Sequence, residues 1–408
     1  MGMFQNSVLN KYLKTQDKQL VDEAYGVYVR YFHNAKMQDE IRLMKEEEYQ
    51  DGFLDDLFVT VLGYVKRPKE GYNLVREKKN ETDAKKADGA VVRGDDIIAV
   101  IELKGTDTKD LGLITEQAFG YKNNHQKCEY VVCSNFEKLR FYVQNAVEYI
   151  EFDLFNLNRE DFGLLCLCLQ ADNLLTDIPQ KLKKESVVAE ENITKELYKD
   201  YVGFKTELWQ NVCANSPKKD KLLMYKKTQK LLDRFLFIFF AEDSGLLSPN
   251  SISRMVERYE KLIELDAEKP LYEIFKQYFS YINKGRKGKS SEDDIFAYNG
   301  GLFEADAEID SFVIDDALLK KHVMKLTAYD FESEVDVNVL GHIFEHSLNE
   351  IENVTAMLEG KEVEKGKTKR KKDGVFYTPK YITKYIVCLL YTSPSPRDRT
   401  RSRMPSSA

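Results

Sequence analysis

Two acids and a lysine, Asp88, Glu102 and Lys104, stand in a pattern suited to metal-assisted chemistry on a phosphate. Hydrolysis of a phosphodiester needs carboxylates that hold Mg²⁺ and a cation beside the attacking water. The ion stabilises charge on the phosphoryl oxygens and lowers the pKa of the water. In the segment Ala87-Asp88-Gly89 … Ile101-Glu102-Leu103-Lys104, a hairpin turning at Gly94-Asp95 sets residue 88 across from residue 101 or 102. Asp88 and Glu102 then converge from adjacent strands, and Lys104, two residues beyond Glu102, projects from the same face. The triplet E-x-K occurs three times, at Glu77-Lys79, Glu102-Lys104 and Glu359-Lys361. Only the middle one ends an apolar strand, where burying two charges is costly without a partner or a metal. Taken alone, the hairpin leaves open an edge strand with a solvated Glu/Lys pair.

The elements that must position these groups follow from periodicity. Residues 1 to about 60 read as helices, with Tyr49, Phe53, Leu54, Leu57, Phe58 and Val61 at helical spacing. Gly89–Lys104 changes to strands, Leu111–Asn123 returns to helix, and 129–134 and 139–143 are two more strands. The expected fold is an α/β core, a mixed sheet flanked by helices, over 1–165. An all-α connector follows over 166–358, for example Tyr225–Ala241 and Val337–Leu348, interrupted by a Lys/Gly loop at Asn283–Lys289. A basic linker and the start of a further domain occupy 359–387. The last segment, 388–408, breaks composition with three prolines, four arginines and five serines, and reads as a translated sequencing adapter. The natural sequence is therefore expected to depart near Val387, within a domain.

On the helix after Lys104 stands Gln117-Ala-Phe-Gly-Tyr121, an i, i+4 pair sharing one face. With it, the region resembles the PD-(D/E)xK nuclease superfamily in its version with a Q-x-x-x-Y motif, although Ala87 rather than proline precedes Asp88. The resemblance implies that Asp88 and Glu102 bind Mg²⁺, that Lys104 positions the nucleophilic water, and that Gln117 and Tyr121 face the site or the DNA backbone. It also implies a glutamate on the first helix, for which Glu46, Glu47 and Glu48 compete, with Glu48 favoured.

Gly374-Val-Phe-Tyr-Thr-Pro379 resembles the N-terminal motif of adenine-N6 DNA methyltransferases, which implies that Phe376, Tyr377, Thr378 and Pro379 lie beside S-adenosylmethionine. The stretches 229–247, 296–303 and 329–348 look like the connector of single-chain (type IIG) restriction-methylation enzymes. Resemblance thus covers most of 40–387 and implies a Rossmann-like methyltransferase domain, truncated here. No glycine-rich cofactor loop and no N-P-P-Y tetrapeptide is present, so methyl transfer by this chain alone is not expected.

Composition agrees with that reading without forcing it. The net charge of −7 does not mark a nucleic-acid binder, but local patches steer phosphate binding, and basic ones run from Lys66 to Lys86 and from Lys361 to Lys372. No apolar run spans a bilayer, no secretory signal is visible, and six cysteines without a C-x-x-C pair suit reduced thiols in a cytosol, which the resemblance implies is a prokaryotic cytoplasm. His342-Ile-Phe-Glu345-His346 matches a zinc pattern but lacks a third ligand. Gly285-Arg-Lys-Gly288-Lys289-Ser290 is not a phosphate loop: Asn283 stands where the first glycine is needed and no strand feeds it. It reads as a solvated basic loop, and no ATP motor motif appears. The expected partner is double-stranded DNA; oligomeric state is not legible. The rival expectation is an adenine methyltransferase whose N-terminal domain binds DNA without cutting it.

Overall fold

A computed structural model of the protein describes residues 3–79, 86–288, 294–298 and 300–331, with 335, 341, 343 and 354–358. The chain divides into two compact units, Met1–Ala189 and Glu190–Ala408. The basic linker, the Phe376–Pro379 motif, the segment 388–408 and both histidines of the zinc pattern lie outside the described residues.

The first unit opens with helices α1 (Asn6–Thr15), α2 (Lys18–Phe32), α3 (Ala35–Leu43) and α4 (Glu46–Phe53), the last widening into a π-helical stretch, Leu54–Val61. Two starts are set by side-chain caps. Asp17 accepts from the N–H groups of Gln19 and Leu20, and Asn34 accepts from that of Lys36. The apolar stripe from Tyr49 to Val61 is buried, as are Tyr28 and Phe32.

Six strands follow in the order β1 (Leu74–Lys79), β2 (Lys86–Arg93), β3 (Asp96–Leu103), β4 (Tyr130–Ser134), β5 (Lys138–Val143) and β6 (Tyr149–Asp153), each paired with its neighbour in sequence. Only β3 and β4 run parallel, joined by the crossover helix α5 (Gly112–Asn123); the other pairs are antiparallel. Continuous burial of Ile97–Leu103 and Tyr130–Ser134 marks the two central strands. β1 and β6 are the outer strands, absent from the expected set. Their sequences, Leu-Val-Arg-Glu-Lys-Lys and Tyr-Ile-Glu-Phe-Asp, are charged as sheet edges commonly are, and charge hides a strand from a search for apolar alternation.

The first unit continues past residue 165, where the strand pattern ends. Helices α6 (Arg159–Leu169) and α7 (Ala171–Leu175) and the beginning of α8 (Ile178–Asn215) send Phe162, Leu165, Leu169, Leu174 and Leu182 into the core that also holds Tyr28, Phe53 and Ile101. Helical periodicity tells that a face is buried, not which core buries it.

The second unit is helical, with the later turns of α8, then α9 (Lys221–Asp243), α10 (Ser251–Glu264), α11 (Leu271–Lys284), α12 (Ala307–Asp310) and α13 (Asp316–Leu326). Phe235 meets Phe275 and Phe279 at its centre, with ring centroids 5.1 and 5.6 Å apart. The buried Arg234 donates to the carbonyls of Leu302 and Glu304 at 2.8 and 2.7 Å, which ties the irregular segment before α12 to that core. The five described cysteines are free thiols, four of them buried. No described helix is long and apolar enough to cross a membrane.

Candidate active site

The site is assembled by the β2–β3 hairpin. The strands turn at Gly94-Asp95, with Gly94 at φ +62°, as the sequence predicts. The register then decides between the two expected partners of Asp88. Next to the turn, Val92 pairs with Ile97; after an irregularity between Val91 and Val92, Val91 pairs with Ala99 and Gly89 with Ile101. That one-residue bulge on β3 moves Asp88 opposite Glu102 instead of opposite Ile101. Without it, the two carboxylates would lie on opposite faces. Ala90, Val92 and Val100 belong to the core beneath α5, and strand alternation puts Asp88, Glu102 and Lys104 on that same face.

Glu102 is buried, at 1% exposure. Its Oε1 accepts from the Lys104 ammonium at 3.3 Å and from the Gln117 amide at 2.6 Å. Its Oε2 is buried with no hydrogen-bond partner. Asp88 Oδ2 accepts from the Leu103 N–H at 2.8 Å, which latches the two strands together at the site. Burial, and then the nearby Asp88 charge, push the Glu102 carboxyl up to about 7 despite Lys104. Burial likewise raises Asp88, opposed by the Leu103 N–H and the Lys104 charge. For Lys104 burial acts against the charge, but Glu102, Glu46 and Asp88 outweigh it and hold the ammonium above its ordinary value.

Lys104 donates to three acceptors: Glu102, its neighbouring Leu103 carbonyl at 3.0 Å, and Glu46 Oε1 at 3.1 Å. The glutamate that α4 brings to the site is therefore Glu46. The favoured Glu48 is used elsewhere, since its Oε2 accepts from the Lys45 N–H at 2.9 Å and closes the start of α4. All three glutamates sit in the first turn, and sequence alone does not say which one serves the cap. Among the described residues, no hydrogen bond or ion pair joins Glu47 to these side chains. The sequence reading also missed Gln50, one turn after Glu46. Its amide donates to Glu46 Oε1 at 3.1 Å and also steadies the Asp88 carboxylate. The i, i+4 spacing of Glu46 and Gln50 was the available signal. Replacing Glu48 by alanine is expected to cost about 1 kcal/mol of stability through the lost cap. Replacing Glu46 by glutamine is expected to lower any metal-dependent cleavage about tenfold with little change in stability. Urea unfolding and plasmid nicking of the two variants separate these outcomes.

Gln117 donates to both Glu102 and the Tyr121 hydroxyl, the latter at 3.0 Å, so the two residues of the α5 motif act as one support for the carboxylate. Among the described residues, no three His, Cys, Asp or Glu side chains gather closely enough to hold an ion by themselves. Two carboxylates with oxygen donors nonetheless fit Mg²⁺, which keeps several waters and takes one or two protein carboxylates. The unpartnered, buried Glu102 Oε2 is the oxygen such an ion would satisfy.

Comparison with known proteins gives two likenesses. Residues 226–303, from α9 into the segment tied down by Arg234, match the family described as MmeI, helicase spacer domain. A curated protein of Methanocaldococcus jannaschii, whose name describes a type II restriction enzyme and methyltransferase, is 28% identical over 237 residues, 48% of this chain. The chain covers 19% of the length of that relative. No solved structure matches the chain.

Proposed function

We propose that the first unit is the DNA-cutting part of a restriction-modification enzyme and hydrolyses phosphodiesters with Mg²⁺ at Asp88, Glu102 and Lys104. One observation carries the reading: a bulge aligns the half-buried Asp88 and the buried Glu102 carboxylates beside an ammonium and leaves Glu102 Oε2 without a protein partner. The likeness to a restriction enzyme and methyltransferase, and to a spacer domain, supports the biological setting. In the whole protein, S-adenosylmethionine-dependent adenine-N6 methylation of the same duplex would be the protecting activity, with Phe376–Pro379 beside the cofactor.

Asp88 and Glu102 would hold the metal, which when bound supplies a Lewis acid that activates water and neutralises charge on the phosphate. Gln117 fixes Glu102 Oε1 and so sets the position of Oε2. The Leu103 N–H does the same for Asp88. Lys104 remains a cation, held so by three carboxylates, and stabilises negative charge growing on the attacked phosphate; it is not the base that takes the proton of the water.

Incubated with supercoiled plasmid and Mg²⁺, the chain is expected to nick DNA, chelator to stop it, and Asp88→Asn to abolish it. Titration with Mn²⁺, followed by its paramagnetic signal, is expected to show one site that Asp88→Asn weakens at least tenfold. Unchanged nicking and Mn²⁺ binding in a folded Asp88→Asn variant would overturn the assignment. Duplex binding without metal uptake or nicking would favour a non-cutting DNA-binding domain.

A further inference from the structure

We infer that Gln50, one turn after Glu46 on α4, holds the Glu46 carboxylate away from the bound ion and so makes the site selective for Mg²⁺ over Ca²⁺. The inference rests on the metal site proposed at Asp88 and Glu102 and says which residue decides the cation it takes.

α4 is a firm mount for these two side chains. Its start is closed by Glu48, which accepts from the Lys45 N–H at 2.9 Å. The buried rings of Tyr49 and Phe53 lie 5.0 and 5.2 Å from that of Phe136, just after β4. Glu46 and Gln50, at i, i+4 spacing, share a face of the helix. Glu46 Oε1 accepts from the Gln50 amide and from the Lys104 ammonium, each at 3.1 Å. The two donors come from different elements, since Lys104 stands at the end of β3 and its backbone N–H donates to the Ser134 carbonyl at 2.9 Å. A carboxylate gripped from a helix and from a strand end has little freedom to turn.

Glu46 is near enough for its charge to act on both Asp88 and Glu102. Among the described residues, however, the three carboxylates do not gather closely enough to hold an ion together. The lock on Glu46 Oε1 accounts for that difference, and its consequence is chemical. Mg²⁺ keeps several waters and takes one or two protein carboxylates, whereas Ca²⁺ takes roughly six to eight oxygens in a flexible shell. Two fixed carboxylates with a third held aside suit the smaller ion; a third free to close in would suit the larger. An amide donates without carrying charge, so Gln50 restrains Glu46 and leaves the negative charge of the site to the ion. Lys104 also serves Glu102 and the Leu103 carbonyl, so the grip on Glu46 depends on the amide.

The test compares Ca²⁺ with Mg²⁺ as competitors for Mn²⁺, followed by its paramagnetic signal, on the full chain. Gln50→Met fills similar space without a donor and keeps a good helix former. It is expected to raise Ca²⁺ affinity relative to Mg²⁺ about tenfold, and Mg²⁺-dependent nicking is expected to fall by a similar factor. The ratio is the readout because the Gln50 amide also favours the ionised form of Asp88, and losing that contact weakens both ions alike. In Gln50→Met/Glu46→Gln the gain is expected to vanish, since the carboxylate that would close on Ca²⁺ is gone. Gln50→Ala, its folding checked by the thermal midpoint in chelator, is expected to repeat the Gln50→Met ratio. A wild-type ratio in folded Gln50→Met and Gln50→Ala would overturn the inference, as would a gain that persists in the double variant. A wild-type chain that takes up no Mn²⁺ would instead overturn the metal site on which the inference stands, and the proposed function with it.

Discussion

Replacing Lys104 by alanine is expected to lower Mg²⁺-dependent nicking by about 10² to 10³-fold, the loss typical of removing one charged donor from a transition-state site. The residue donates to Glu102, Glu46 and the Leu103 carbonyl, and its charge is held up by Glu102, Glu46 and Asp88. Alanine therefore removes the cation whose charge Glu102, Glu46 and Asp88 all offset. Lys104→Arg separates these effects. It keeps the charge, so stability in chelator should stay near wild type. The planar guanidinium, however, cannot reproduce a point charge shared among three acceptors, and nicking should remain low. Rates measured at saturating Mg²⁺, with thermal midpoints taken in chelator, give both readouts. Nicking within twofold of wild type in Lys104→Ala would exclude the lysine from the reaction.

The hairpin was legible because its three signals agree. A glycine turn, an apolar run and acids at its open end each point to the same geometry. What the residues left open was the partner of Asp88, 101 or 102, since strand alternation counts residues but does not register a bulge. The bulge at Val91/Val92 resolves the choice in favour of convergence. The helix glutamate failed for a related reason. Glu46, Glu47 and Glu48 are chemically alike, and their roles divide according to which one reaches back to the Lys45 N–H. β1 and β6 were hidden by the charge that suits sheet edges. In the second unit the helices followed their apolar periodicity, while Arg286 read as a loop residue because the backbone pairing that fixes it spans nine positions with no strand-like pattern.

Glutamine at position 102 tests whether the carboxylate is kept for function at the expense of the fold. In the folded, metal-free chain the Glu102 carboxyl is pushed up to about 7, first by burial and then by Asp88, from an ordinary value of 4.5. Between these two values the folded chain holds a proton that the unfolded chain has released. The favourable contribution of this group is therefore fully present below pH 4.5 and is lost as pH rises through 7. Above that, ionised Glu102 weakens the fold by about 1–3 kcal/mol, taking roughly 1.4 kcal/mol per pK unit with allowance for relaxation. Glu102→Gln carries no such charge. In chelator its midpoint should match wild type near pH 5 and exceed it increasingly up to about pH 8. Added Mg²⁺ should then raise the wild-type midpoint and leave the variant unmoved, because the oxygen left unpartnered in the fold is the one assigned to the ion. Nicking should vanish in the same variant. A carboxylate retained for structure gives the opposite order, with glutamine less stable at pH 8 and no difference in the response to Mg²⁺; that order would remove Glu102 from the metal site. Stability gained where activity is lost is the signature of a residue whose burial is unfavourable until its ligand arrives.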